Sequence, residues 1–113
     1  MRRAARPAYA RSKYRNIRTT VDGIKFASKK EARRYAELAL LQKAGRIHNL
    51  FCQRPFPLAV NGVALGKYVA DFTYSEVPSG RYVVEDVKGF RTPIYRLKAK
   101  LMLALHGVKI SET

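Results

Sequence analysis

The sequence predicts an α/β fold, with a mixed central sheet flanked by helices in the order αβββαβ. Three observations predict it. An apolar rhythm of helical period runs from Ser28 to Ala44. Strand-like runs divided by turn signals fill residues 47–88, and a second capped helix follows from Thr92 to Gly107 with a short apolar run after it. A chain of 113 residues has room for one core and no second. The expected organisation is therefore a basic flexible arm over residues 1–18 and a single domain over residues 19–113.

Residues 1–18 carry Arg2, Arg3, Arg6, Arg11, Lys13, Arg15 and Arg18 with no acid, and Tyr9 and Tyr14 are interleaved. Like-charge repulsion and low apolar content predict an arm that orders on a phosphate backbone. Residues 17–26 read as a hairpin turning at Asp22-Gly23. Ser28 opens a helix, with Glu31 placed as its capping-box partner, and Gly45 ends it. Its expected buried stripe is Ala32, Tyr35, Ala36, Ala39 and Leu40, widened by Leu38 and Leu41. Lys29, Lys30, Arg33 and Arg34 crowd its first turns, where the helix dipole favours acids, which points to a basic rim used for binding.

Ile47–Cys52 and Phe56–Val60 read as one or two short strands broken by Pro55 and Pro57, residues that confine the segment to an edge. Asn61-Gly62 is a turn, Lys67–Tyr74 a strand, and Pro78-Ser79-Gly80 a second turn into the strand Tyr82–Lys88. Thr92-Pro93 is an N-cap and first-turn proline. Ile94, Leu97, Leu101, Ala104 and Leu105 form the expected apolar side of the helix that follows, Gly107 stops it, and Val108–Ile110 is the last strand.

Composition narrows the function classes. Twenty-three Lys and Arg against eight Asp and Glu give a net charge of +15 and a pI near 10.5. Such a field favours a polyanion, and nucleic acid first among them. No apolar run approaches the ~20 residues of a spanning helix, and the basic N-terminus lacks the apolar core of a secretion signal. One cysteine, Cys52, excludes an internal disulfide framework and suits a reducing cytosol. Two histidines and that cysteine, widely spaced, argue against zinc, and neither His48 nor His106 has a partner that would make it a general base.

In so basic a chain each acid asks for an explanation. Asp71 and Asp86 lie inside apolar strands joined by a short turn, where an isolated ionised carboxylate is costly. A divalent cation between them turns that cost into binding, and magnesium prefers carboxylate oxygen. Alternation puts Lys88 on the face of Asp86, where it would steady an attacking water or the charge on a scissile phosphate. Glu31 is the available third carboxylate, acting directly or through water. Glu85 alternates to the other face and is expected to be structural, paired with a lysine; a bulge or another register would make it the ligand instead. Plainer readings stand beside these: a surface salt bridge for Asp86 and Lys88, an arginine partner for Asp71, and a capping role for Glu31. Gln53, Arg91, Tyr95 and Lys98 are secondary candidates for contact with a phosphate beside the site.

Asp71, then Asp86-Val87-Lys88, with Glu31 on a preceding helix, resembles the PD-(D/E)XK nuclease superfamily of restriction endonucleases, Holliday-junction resolvases and transposon end-cleaving subunits. The likeness is closest to a small phage-encoded family within it, carried by Ser28–Tyr35, Tyr68–Phe72 and Val84–Gly89 and spanning roughly residues 24–112. The proline of the superfamily's name is replaced by Ala70, at a position that often varies. The resemblance implies a restriction-endonuclease-like core and magnesium-dependent phosphodiester hydrolysis, with manganese able to substitute. Asp71, Asp86 and the Val87 carbonyl would hold the metal, Lys88 would be catalytic, and Glu31 would match the helical acid.

The resulting expectation is a structure-selective endonuclease acting on branched phage DNA, with DNA contacts from Lys29, Lys30, Arg33, Arg34, Arg91, Tyr95 and Lys98. A homodimer would supply the two sites that cutting two strands requires. No membrane and no small-molecule cofactor enter the expectation, and the cytoplasm of a phage-infected or lysogenic host is the expected location. The alternatives are a non-catalytic nucleic-acid-binding module that retains the fold, and a basic structural protein whose acids form only a salt-bridge cluster.

Overall fold

The computed structural model describes residues 17–88 and 90–113. The basic arm expected over residues 1–18 falls outside the described residues except for Ile17 and Arg18, as does Gly89 at the end of the Val84–Gly89 segment. The elements are β1 (Thr19–Val21), β2 (Ile24–Phe26), α1 (Lys29–Lys43), β3 (Ile47–Val60), β4 (Val63–Glu76), β5 (Tyr82–Asp86), α2 (Pro93–His106) and β6 (Ser111–Glu112). From α1 onward the order is αβββαβ. The chain divides into two units at Glu37/Leu38, inside α1.

The first unit holds the hairpin and the start of α1. β1 and β2 pair antiparallel from Thr19↔Phe26 to Val21↔Ile24. Asp22 and Gly23 both adopt positive φ, 53° and 76°, the two-residue turn whose twist matches that of the strands. Tyr35 donates its hydroxyl to Asp22 Oδ2 at 2.9 Å while its ring lies 5.2 Å from that of buried Phe26. Helix α1 starts where its cap predicts, since Ser28 Oγ accepts from Glu31 N at 3.2 Å.

The second unit begins with the rest of α1, which closes with Arg46 N donating to Leu41 O at 2.9 Å around a left-handed Gly45 (φ 78°). The expected stripe on α1 is rotated. Leu38 and Ala32 are buried, Tyr35, Ala39 and Leu41 are half-buried, and Ala36 and Leu40 face solvent. Alanines contribute little apolar area, so the buried arc is set by the larger Leu38.

The sheet order is β3-β4-β5-β6, antiparallel except for the parallel pair β5/β6. β3 is one strand of 14 residues rather than two short ones. It is the edge strand, and Pro55 and Pro57 are two residues apart. Their missing N–H groups therefore point the same way and leave the pairing with β4 intact, as Pro55↔Val69 and Pro57↔Lys67. Its irregularity is taken up by register shifts at His48/Phe51 and Leu58/Ala59. β4 likewise runs unbroken from the Asn61-Gly62 turn to Glu76.

Helix α2 is capped by Thr92, whose Oγ1 accepts from Tyr95 N at 3.0 Å, and ends on left-handed Gly107. Its buried face carries Tyr95 and Met102, which join Leu58, Tyr68, Ala70 and Val84 in one core cluster, with Ala99 and Leu101 partly buried beside it. The face expected from sequence is thus turned outward: Ile94, Leu97, Ala104 and Leu105 are exposed and only Leu101 is half-buried. The helix is apolar around most of its circumference, and the rank of its sectors was set by Tyr95 and Met102, seven residues apart on one side. Val108 and Ile110 pack on the core rather than forming a strand, and pairing with β5 begins only at Ser111. Among the described residues no helix is long and apolar enough to cross a membrane.

Candidate functional site

β5 is covered on both faces, not on one: Val83 to Val87 are all buried. Both adjacent acids are therefore inside the protein, Glu85 fully and Asp86 at 4% exposure. Alternation sends them to opposite faces. Val84 belongs to the cluster beneath α2, so Asp86, two residues on, turns toward that helix.

Glu85 Oε1 accepts from the Tyr74 hydroxyl at 2.7 Å, and Oε2 accepts from Thr113 Oγ1 at 3.3 Å. The two hydroxyl donors offset part of the cost of burying this carboxylate.

Asp86 has different neighbours. Its Oδ2 accepts from the Tyr68 hydroxyl at 2.5 Å, and its Oδ1 lies 3.1 Å from Lys88 Nζ. The Lys88 ammonium also sits 3.9 Å above the centre of the Tyr95 ring, so it is held by an opposite charge and an aromatic face together. The strand end is fixed by the chain's last residue. Thr113 N donates to Asp86 O at 3.0 Å, and Lys88 N donates to Thr113 O at 3.1 Å.

The regular β4/β5 ladder stops at Phe72↔Glu85. One residue beyond, the Asp71 carboxylate takes over the part of a backbone carbonyl, its Oδ2 accepting from Val87 N at 2.8 Å. Asp71 is thereby tied to the residue next to Asp86. Burial chiefly, then the hydrogen bond and charge of Asp86 and a further contribution from Asp71, push the Tyr68 phenol far above its usual range. Tyr68 is therefore a neutral donor to Asp86 around neutral pH. Two carboxylates and an ammonium thus meet where β4, β5 and the N-terminal part of α2 converge.

Tyr95 and Arg91, expected at a phosphate, both bond Glu112. Tyr95 donates its hydroxyl to Glu112 Oε2 at 2.7 Å. Arg91 Nε donates to Glu112 Oε1 at 2.7 Å, and its Nη2 pairs with the same oxygen. Burial, then the bond to Glu112, raise the Tyr95 phenol. Arg91 foremost, then Tyr95, hold the Glu112 carboxyl below its ordinary value of 4.5. A carboxyl with a lowered folded pKa contributes stability that is whole above 4.5 and is lost as pH falls through the folded value. Glu112→Gln is expected to flatten the acid limb of the stability curve below that pH, leaving the neutral limb parallel to wild type, as read by urea unfolding at a series of pH values.

The remaining candidates are spread over both units. Glu31 belongs to the first unit, half-buried in the first turn of α1 with its amide on Ser28. Lys29, Lys30 and Arg33 are exposed on that turn, and Arg34 pairs with Glu37 at 3.0 Å. Lys98 is half-buried on α2, and Gln53 is exposed on β3 in a left-handed conformation. Among the described residues no group of three or more His, Cys, Asp and Glu is gathered that could hold a metal.

Sequence reasoning missed Tyr68 and Glu112. Tyr68 lies three residues before Asp71 inside an apolar run, and only the fold turns its hydroxyl to Asp86. Glu112 could have been found had the parallel strand been placed two residues later.

These observations define an α/β protein that sets a buried Asp86 and a half-buried Asp71 beside Lys88 at the end of a mixed sheet. Over residues 11–111 the sequence matches the family described as protein of unknown function (DUF1064), and the chain belongs to that family. Neither a curated protein nor a solved structure matches it.

Proposed function

We propose that this chain is a magnesium-dependent endodeoxyribonuclease, built on a restriction-endonuclease-like core, that hydrolyses phosphodiester bonds in branched DNA during phage recombination in the host cytoplasm. The observation that carries the reading is the meeting of Asp71, Asp86 and Lys88 at one strand end in a chain of net charge +15. The resemblance of Ser28–Tyr35, Tyr68–Phe72 and Val84–Gly89 to PD-(D/E)XK nucleases supports it.

The donor set suits the metal. Asp71, Asp86 and the Val87 carbonyl are hard oxygen donors of the kind magnesium takes, and magnesium commonly uses one or two carboxylates and keeps its other ligands as water. Manganese fits the same set. Glu31 is the further carboxylate candidate from α1. Bound there, the ion would supply a lowered pKa for the attacking water and a counter-charge for the phosphoryl oxygens.

The chain's own residues do the rest. The Tyr68 hydroxyl fixes one oxygen of Asp86, and the Val87 amide fixes one oxygen of Asp71, so both carboxylates are oriented before any ligand arrives. Lys88 offers a positive charge, aimed by the Tyr95 ring, to the charge that develops on a phosphate in the transition state. The excess of Lys and Arg draws the polyanion in, with Lys29, Lys30, Arg33, Arg34 and Lys98 as candidate backbone contacts.

Thermal melting against magnesium tests the site without a substrate. Wild type is expected to gain stability as RT ln(1 + [Mg2+]/Kd), about 2.7 kcal/mol at a hundred times Kd. Asp71→Asn, which keeps an oxygen for the Val87 amide but removes the charge, is expected to lose that gain. A wild-type melt indifferent to millimolar magnesium would count against the metal site.

One observation favours a second reading. Lys88 is already paired with Asp86 at 3.1 Å, as it would be in a salt-bridge cluster inside a non-catalytic DNA-binding module. Lys88→Met separates the two. The cluster reading expects a loss of about 2–3 kcal/mol from a partly buried ion pair with DNA affinity unchanged. The nuclease reading expects cleavage to fall by about a hundredfold or more with stability changed by no more than about 1 kcal/mol.

A further inference from the structure

We propose that Glu112 is a positioning residue for Lys88, acting through Tyr95 to hold the lysine ammonium beside Asp86. The consequence for cleavage rests on the nuclease reading, whereas the placement of the ammonium can be read without a substrate.

Strand pairing brings Glu112 to the site. Asp86 and Glu112 are direct partners across the parallel strands β5 and β6, so their side chains leave the same face of the sheet. Tyr95 meets that face from the first turn of α2, fixed there by the Thr92 cap. It is 8% exposed, and its hydroxyl donates to Glu112 Oε2 at 2.7 Å. Arg91 holds the other oxygen of the same carboxylate. Lys88 Nζ lies 3.1 Å from Asp86 Oδ1 and 3.9 Å from the centre of the Tyr95 ring. Arg91, Glu112, Tyr95, Lys88 and Asp86 thus touch in sequence, with the neutral ring between the two ion pairs.

A lysine needs such support because its stem is long, carrying about 2 kcal/mol of rotamer entropy. Asp86 alone attracts the ammonium without fixing its direction, and the face of the Tyr95 ring supplies the second contact that defines a place. Core packing, with the Tyr68 ring centre 6.5 Å away, holds the body of the Tyr95 ring. The bond to Glu112 holds its hydroxyl end. Glu112 also stands between two cations: Arg91 first, then Tyr95 and, more weakly, Lys88 lower its carboxyl. In a chain of net charge +15, an Arg91 without that counter-charge would add repulsion at Lys88. The plainer role for Glu112 is an exposed ion pair with Arg91, which would leave Lys88 unaffected.

Proton NMR of the full-length protein separates the two. The Tyr95 ring shields protons above its face, so the Lys88 ε-methylene signal is expected upfield of the other lysines, identified by its absence in Lys88→Met. Glu112→Ala and Tyr95→Phe, which keeps the ring but loses the hydroxyl, are each expected to return it to the other lysines. Glu112→Gln is expected to keep the shift, because its oxygen can still accept from Tyr95 while exposed Arg91 turns to solvent. In magnesium-dependent cleavage of a four-way junction, Glu112→Ala is expected to lower kcat about a hundredfold, the loss that a misplacement of about 1 Å brings. KM should change little, Glu112→Gln should recover most of the rate, and adding Tyr95→Phe to Glu112→Ala should cost nothing further. A wild-type Lys88 signal among the other lysines, or one unmoved in Glu112→Ala and Tyr95→Phe, overturns the inference. A loss in Glu112→Gln as complete as in Glu112→Ala overturns it as well. Should Glu112→Ala fail to fold, Tyr95→Phe decides alone, with the wild-type carboxylate in place. A shift present in wild type and lost in these variants, in a protein that cuts no DNA, upholds the positioning and removes the nuclease reading instead.

Discussion

Asp86→Asn is expected to slow magnesium-dependent DNA cleavage by about a hundredfold to a thousandfold while leaving the protein folded. The change is isosteric. An asparagine oxygen can still accept from the Tyr68 hydroxyl, so the buried donor keeps a partner. What disappears is the negative charge that pairs with Lys88 and would hold the metal with Asp71. Losing a preorganised charge in a partly desolvated site costs about 3–4 kcal/mol of transition-state stabilisation, and each 1.36 kcal/mol is about a factor of ten in rate. The cost to folding is expected to stay near 1 kcal/mol, because a lost ion pair is offset by relief of repulsion from Asp71. Single-turnover cleavage of a labelled four-way junction, run beside a thermal melt, reads both quantities.

Glu85→Ala is expected to do the reverse. Glu85 is fully buried, and its two oxygens accept from Tyr74 and Thr113. Truncation leaves a void and removes the carboxylate that accepts from the Tyr74 hydroxyl. Together these cost about 2–4 kcal/mol, roughly 10 °C or more in a domain of this size. Adding Tyr74→Phe removes that hydroxyl and is expected to recover part of the loss, giving a coupling of about 1 kcal/mol in a double-mutant cycle. Cleavage per folded molecule at low temperature should remain close to wild type. If Glu85→Ala instead kept its stability and lost cleavage, Glu85 rather than Asp86 would be the acid of the site. Adjacent acids on one strand would then have been given each other's roles.

Much of the local structure was legible because it depends on single residues with few alternatives. Asp22-Gly23 and Asn61-Gly62 supply positive φ at both turn positions. Ser28 and Thr92 cap their helices with their own side-chain oxygens. Period-two alternation separated Glu85 from Asp86 before any coordinates. Burial of helix faces was less legible. α1 and α2 are both apolar over more than one sector, and periodicity alone does not rank the sectors. Leu38, and the pair Tyr95 and Met102, decide which one turns inward, through packing with residues far away in the chain. The outward stripe of Ile94, Leu97 and Leu105 is the remainder of that choice.

The site divides along the same line. Asp71, Asp86 and Lys88 stand out in sequence because charge inside an apolar strand is costly. Their partners do not stand out. A tyrosine in a strand is ordinary, and nothing local to Tyr68 announces that it reaches Asp86. Glu112 gains its role only because β6 pairs parallel to β5 beyond Ile110, bringing its carboxylate to Arg91 and Tyr95. Arg91 and Tyr95 thus bind the exposed Glu112 carboxylate, and Lys88 pairs with Asp86.

Cleavage of a four-way DNA junction, the matching linear duplex, a single strand and a supercoiled plasmid, each with and without magnesium, is the most direct test of the central claim. The expected result is magnesium-dependent cleavage of the junction ahead of the duplex, restored by manganese and absent in Asp86→Asn. Wild-type protein that binds these DNAs in a salt-dependent manner yet cuts none of them with either metal would contradict the claim and leave a binding module in its place.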